Sequence, residues 1–361
     1  MSNRHRTGHL KHYSMSEADI RQFLRFLSGT RKVYAPHRKG RQSFVFREVE
    51  DADAVVLDYP RTMQGLKKYF LPPREILLQF DTARQEYHSE EPVVEERIFF
   101  AVHSYDLEAV KRLDYSFLQG REESQYLKRR EESVFIGISY SPDSYHFGNS
   151  VGIPVDMTEG FSLFIQKAEE DHYLLFIIDY KGLKLVSDFH SGKLADISSI
   201  ELDEADWPTR LQVHYNRLPE IFEKSYHSGI WEDVAERCLG CGTCNLLCPT
   251  CYCFEVQDEV ELDLQTGQRE RSWDGCMLNH FAEVAGGENF RESLEQRTRH
   301  RLNRKFLYIT QHLNKPFCVG CGRCSSSCPA GIRITDIING LVSDHHEKLL
   351  EKKSRSLMIK V

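Results

Sequence analysis

Two cysteine runs in the last third of the chain, CLGCGTCNLLCPT from Cys238 and CVGCGRCSSSCPA from Cys318, limit what this sequence can fold into more than any other feature. Each reads C-x2-C-x2-C-x3-C-P, the bacterial ferredoxin-type run. Cysteines at three-residue intervals on a tight loop can direct thiolates at three irons of one cubane, and soft thiolates suit iron–sulfur chemistry. The fourth cysteine, displaced by one residue ahead of a proline, points elsewhere and in two-cluster ferredoxins completes the other cluster. The expected ligand sets are Cys238, Cys241, Cys244 and Cys328 for one 4Fe-4S cluster, and Cys318, Cys321, Cys324 and Cys248 for a second. Structural zinc also uses paired C-x-x-C, but takes two pairs separated by a longer stretch, which three cysteines in one continuous loop do not match.

All eleven cysteines lie between Cys238 and Cys328, and the preceding residues hold none. That segregation speaks for metal-bound thiolates in a reducing compartment and against a disulfide framework. The start, MSNRHRTGHLKHYSM, has positive charges with no apolar segment behind them, so a secretory signal is not expected. No run of about 18 apolar residues predicts a membrane span. Cytoplasmic residence is the expectation. With 361 residues, 40% of them hydrophobic, the chain can build two or three domains. A net charge of -7 gives no electrostatic footprint for nucleic acid, which is not an expected partner.

The predicted fold class is α+β: a mixed α/β domain over residues 15–190, a boundary segment over 191–216 with the acidic ELDEADWP, and a mainly helical ferredoxin-like domain with two clusters over 217–361. Ser16 caps a helix carrying Ile20, Phe23, Leu24 and Leu27 at helical spacing. Short apolar runs at 44–46, 98–102 and 134–138 read as strands. Between the last two, Leu107, Val110, Leu113 and Phe117 mark a helix, giving a strand–helix–strand crossover with parallel strands. FSLFIQKA, HYLLFIIDY and LKLVS read as further strands, the last two forming a hairpin across Lys181-Gly182. Past the boundary, Leu218, Ile221 and Phe222, the stretch ENFRESLEQRTRHRLNRKFLYITQHL and the C-terminal IRITDIINGLVSDHHEKLLEKK are helical. There is no GxGxxG after a strand and no GxxxxGK[ST], which argues against an ordinary dinucleotide site, and neither a nucleophile elbow nor an HExxH helix occurs.

RCLGCGTCNLLCPTCYCF, RSWDGCM, AGGENFRE, RTRHRLNRKF and CVGCGRCSSSCP together resemble the iron–sulfur subunit of anaerobic sulfite reductase and the beta subunit of sulfhydrogenase-type nickel–iron hydrogenases. The close likeness covers about a hundred residues, and CPTCYC and WDGC make it more specific than a generic ferredoxin motif. A weaker likeness runs through Tyr34-Ala35-Pro36, FAVHSYDLEAVKRLD and FGNSVG. There the chain departs from the family pattern, which has cysteines before the aspartate of the middle segment, at the following strand end, and as C-F-C before S-x-G. This chain has Tyr105 before Asp106, Ile138 or Ser139 at the strand end, and His146-Phe147-Gly148 ahead of Ser150. Any cysteine-ligated site in that domain is therefore expected to be missing, leaving two 4Fe-4S clusters.

Cys251, Cys253 and Cys276 stand outside the two runs. They read either as further ligands, with His280 as a possible fourth, or as small packed residues beside the clusters whose hydrogen bonds tune potential. The basic stretch from Arg291 to Lys305 reads as a solvated helix face, a docking face, or cationic compensation for anionic cubanes. The resemblance implies an electron-transfer subunit without catalytic residues, relaying single electrons in a multi-subunit oxidoreductase. Its implied partners are a ferredoxin-reductase-like flavoprotein and a catalytic subunit of hydrogenase or sulfite-reductase type. The alternatives are a stand-alone oxidoreductase whose α/β domain binds its own substrate or flavin, and a zinc-stapled interaction module.

Overall fold

A computed structural model describes residues 11–92, 94–153, 159–169, 171–189, 195–196 and 207–358. Its strands are β1 (Lys11–Met15), β2 (Lys32–Arg38), β3 (Phe44–Glu48), β4 (Arg74–Asp81), β5 (Glu86–Ser89), β6 (Arg97–Val102), β7 (Ser133–Ile138), β8 (Leu163–Glu169), β9 (His172–Ile177), β10 (Ala195–Asp196), β11 (Phe254–Val260) and β12 (Thr266–Trp273). Its helices are α1 (Glu17–Thr30), α2 (Lys67–Phe70), α3 (Ser104–Phe117), α4 (Ser124–Glu131), α5 (Tyr180–Asp188), α6 (Leu218–Lys224), α7 (Ile230–Arg237), α8 (Thr243–Leu246), α9 (Leu294–Asn303), α10 (Thr310–Leu313), α11 (Arg323–Ser326) and α12 (Ile334–Met358). None of the described helices is long and apolar enough to cross a membrane. The mixture is α+β, as the sequence predicts.

One compact unit comprises Met1–Leu71, Glu91–Asp143 and Ile153–Trp207. Its sheet runs β10-β1-β9-β8-β7-β6-β2-β3, with parallel pairing from β2 through β6 and β7 to β8 and antiparallel pairing elsewhere. β6 and β7 are apolar runs buried along nearly their whole length, as central parallel strands must be. The crossover between them is α3 followed by α4, and the four apolar positions of α3 expected to face inward are buried. α1 begins where Ser16 and Asp19 form a reciprocal capping box, and it buries Ile20, Phe23, Leu24 and Leu27.

LKLVS is not a strand. It lies within α5, started by Asp179, whose carboxylate accepts the Gly182 N–H at 2.8 Å. Gly182, Leu185 and Val186 are its buried residues, a helical spacing that also mimics a short apolar run. At Gly182 an added Cβ would lie 2.0 Å from the Ser162 carbonyl oxygen, so this glycine serves close packing and not a hairpin turn. The hairpin joins β8 to β9 instead. Of the expected boundary segment, residues 191–194 and 197–206 lie outside the described residues.

The other unit comprises Pro72–Glu90, Ser144–Gly152 and Pro208–Val361. It is mainly helical, with Phe222 stacked on Phe306 at 5.3 Å and the buried Trp231 indole donating to the Ser225 carbonyl at 2.7 Å. It also holds a sheet of order β11-β12-β4-β5 that the helical reading of this region does not anticipate. The Arg271 guanidinium pairs with Glu75 inside that sheet, where both side chains are buried, and stacks on Phe254 at 5.3 Å.

Candidate iron–sulfur centre

The two cysteine runs fold alike. In each, the chain turns through left-handed glycines, Gly240 and Gly242 in the first and Gly320 and Gly322 in the second, before a single turn of helix, α8 or α11. These turns bring the first three cysteines round one loop, and the short helix carries the fourth away from them.

The fourth cysteine of each run lies near cysteines of the other run. Cys328 lines one cavity with Cys238, Cys241, Cys244, Cys324 and Arg301. Cys248 is an electrostatic neighbour of both Cys318 and Cys321, which also feel Cys324. Among the described residues, no three His, Cys, Asp or Glu side chains converge as ligands of a single metal ion. Cubane thiolates bind separate irons and need no such convergence.

Buried charge tests whether an anionic cluster suits this place. Arg301 and Lys305, one helical turn apart, are 8% and 7% exposed. Neither pairs with a carboxylate among the described residues, and the buried Nε of Arg301 has no hydrogen-bond partner. Burying an unpaired cation costs several kcal/mol. The countercharge within reach is sulfur: Arg301 faces Cys244, Cys324 and Cys248, and Lys305 faces Cys248, Cys251 and Cys318. Thiolates ligating an iron–sulfur cluster would supply the negative charge that these side chains lack. Arg297, on the same face, donates to the Met277 carbonyl at 3.1 Å, while Arg299 pairs with Glu295. The basic stretch is thus no uniformly solvated face: Arg297, Arg301 and Lys305 point inward at four-residue spacing.

The thiols differ with their surroundings. Burial pushes the Cys244 thiol up to about 12 and Cys321 up to about 11. Hydrogen bonding with Thr243 holds the exposed Cys241 below the ordinary thiol value. Burial acts most strongly on Cys248 and raises it, but the Lys305 ammonium, the hydrogen bond with Thr250 and the Arg301 guanidinium together hold that thiol below its ordinary value. Cluster binding needs every ligand as thiolate, so loading the buried cysteines expels protons.

Cys251 and Cys276 meet at Asn245, and Cys253 bonds Cys251. The Asn245 amide nitrogen donates to Cys276 Sγ at 3.5 Å and to Cys251 Sγ at 3.7 Å, and its oxygen accepts the Met277 N–H at 3.1 Å. A hydrogen bond with Cys251 is the main cause that raises Cys253. His280 is not among them: it is exposed and bonds Glu283 at 2.8 Å.

The two runs meet different environments. Leu239 and the exposed Cys241 bring the first to the surface, whereas Val319, Gly320 and Cys321 are buried. Over the second run lies His146–Gly148, with the Phe147 N–H donating to the Gly320 carbonyl at 2.8 Å. Sequence reasoning missed this cover because its residues are far from both runs in the chain.

The three places where family members were expected to carry cysteines hold other side chains. Tyr105 is buried, its hydroxyl 2.8 Å from His103 Nδ1 and donating to the Pro60 carbonyl at 3.1 Å. Ile138 is core, and His146 is buried beside Phe147 and Gly148. The His103 ring is stacked between Tyr59 and Tyr140 at 4.0 and 4.3 Å.

Residues 237–332 match the family described as a 4Fe-4S dicluster domain. Sulfhydrogenase 2 subunit beta of Pyrococcus furiosus is 32% identical over 328 residues, covering 88% of this chain and 94% of that relative. No solved structure matches the chain.

Proposed function

This chain belongs to the sulfhydrogenase beta-subunit family, and from that premise we propose that it is an iron–sulfur electron-transfer subunit relaying single electrons through two 4Fe-4S clusters. Cys238, Cys241, Cys244 and Cys328 hold one cluster, and Cys248, Cys318, Cys321 and Cys324 the other. The observation that supports this reading is the gathering of cysteines from both runs around Arg301 and Lys305, two buried cations with no carboxylate partner among the described residues. The clusters supply one-electron chemistry; the chain supplies ligands, countercharge and a path between two sites.

The relay works in a cytoplasmic multi-subunit oxidoreductase. One partner is a ferredoxin-reductase-like flavoprotein, the other a catalytic subunit of hydrogenase or sulfite-reductase type. Residues 15–190 provide no ligand, because no cysteine lies there; the cluster ligands fall within the helical stretch 217–361. Cys251, Cys253 and Cys276 act through hydrogen bonds near the clusters and not as ligands.

Anaerobic purification of the full chain tests the proposal. The expected product is brown, bleached by dithionite, with about eight irons per chain and two reduced-cluster signals in electron paramagnetic resonance. About twelve irons would overturn the two-cluster count, and a colourless zinc protein would overturn the relay. A flavin retained by the isolated chain, with turnover of a substrate by reduced dye, would replace it with a stand-alone oxidoreductase.

A further inference from the structure

The relay needs two clusters, and one of them has a charged contact that the other lacks. The Lys305 ammonium donates to the Thr250 hydroxyl at 2.6 Å and to the Thr250 carbonyl at 3.2 Å. It sits 4.8 Å from the centre of the Phe317 ring, and the Phe317 N–H bonds the Lys305 carbonyl at 2.8 Å, so both ends of the lysine are fixed. The Thr250 hydroxyl, itself buried, lies 3.4 Å from Cys248 Sγ. A hydroxyl oxygen that accepts from an ammonium keeps its own proton to give, and the Cys248 sulfur is the acceptor in reach. Lys305 thereby turns Thr250 into a donor toward sulfur.

The first run has a hydroxyl of the same kind, Thr243, 3.4 Å from Cys241 Sγ. No lysine or arginine among the described residues bonds to it. Arg301 faces cysteines of both sets, so its charge acts on both clusters, whereas Lys305 faces Cys248 and Cys318 of one set only.

We propose that Lys305 and Thr250 are positioning residues that act through Cys248 to raise the reduction potential of the cluster held by Cys248, Cys318, Cys321 and Cys324, making it the resting place of an electron in the relay. Reduction adds negative charge to the cluster, and a buried cation with a hydrogen bond to sulfur stabilises that added charge. This inference rests on the two-cluster reading above.

The test is a redox titration of the full cluster-loaded chain, following each reduced cluster by electron paramagnetic resonance. The signal lost in Cys328→Ser identifies the cluster of the first run. Thr250→Val keeps the shape of the side chain and removes the donor; Lys305→Met removes the charge; Thr250→Ser keeps the hydroxyl. Thr250→Val and Lys305→Met are each expected to shift the reduction equilibrium of the Cys248 cluster about tenfold toward the oxidised form, ~59 mV for one electron. The other cluster stays within about a third of that shift, and Thr250→Ser restores the wild-type value. Equal movement of both clusters, or no movement in Thr250→Val, overturns the inference. If Lys305→Met fails to hold iron, Thr250→Val still decides. Two clusters with unmoved potentials would sink the inference alone, whereas a wild-type chain without two reducible clusters would sink the relay beneath it.

Discussion

Leu239 and Val319 occupy the same place in the two cysteine runs, yet Leu239 is 68% exposed and Val319 2%. The same spacing builds two loops of one shape, and the rest of the chain then treats them differently. The first loop lies open at Cys241; the second is roofed by His146–Gly148 and served by Lys305. Spacing decides where thiolates point, while solvent, backbone cover and buried cations decide what a cluster held there will do.

The strongest challenge to this contrast is exchange of the fourth ligands. Cys328→Ser, although in the covered run, is expected to empty the open site: iron falls by about half, and Cys238, Cys241 and Cys244 become open to alkylation. Cys248→Ser should expose Cys318, Cys321 and Cys324 instead. Mass spectrometry of the alkylated chains reads the pattern, and protection that followed each run separately would dissolve the exchange.

Next in size is the cover itself. Gly320 has φ +64°, and an added Cβ would lie 2.5 Å from the Gly148 nitrogen and 2.6 Å from the Phe147 carbonyl carbon, backbone that cannot swing aside. Gly320→Ala should therefore cost about 3 kcal/mol, combining a left-handed backbone with overpacking. Its counterpart Gly240, with φ +62°, would meet only a Leu294 methyl at 3.1 Å, and Gly240→Ala should cost about 1 kcal/mol. Denaturant midpoints of the two variants, compared anaerobically, measure the difference; equal losses would mean that the cover adds nothing.

The smallest expected effect is kinetic. Ferricyanide should destroy the open cluster several-fold faster than the covered one, so iron leaves in two phases of comparable size. A single phase would mean that the roof over Gly320 does not restrict access.

Much of the site was legible because ligand geometry is written locally. Three cysteines on one glycine-bearing loop carry their own constraint, and Cys328-Pro329 announces its departure from that loop. The central strands were legible too, since parallel strands buried on both faces read as unbroken apolar runs. What escaped depends on distant partners. His146–Gly148 shows no mark of covering anything until Gly320 lies beneath it. In β11, Phe254, Val256 and Val260 fall on alternate positions, a period-two signal overlooked because the strand is exposed along its length and the flanking sequence is helical. α5 could have been found from Asp179, an N-cap residue three positions before Gly182. Thr250 was hidden by adjacency, one residue past the proline that closes the first run, where it looked like an end and not a contact.

The pairing of Glu75 with Arg271 spans 196 positions of sequence, and that span bears on how the protein is made. Synthesis runs from the N-terminus, so β4 and β5 leave the ribosome long before β12 exists, and Phe147 precedes Gly320 by a similar stretch. On the proposed ligand sets the first cysteine run gains nothing from being finished early, because Cys328, which lines the same cavity, is made after it. On those sets the first run waits for the second, and a nascent chain stalled just before residue 328 would display seven of the run cysteines: all four proposed for the covered site and three of the four proposed for the open one.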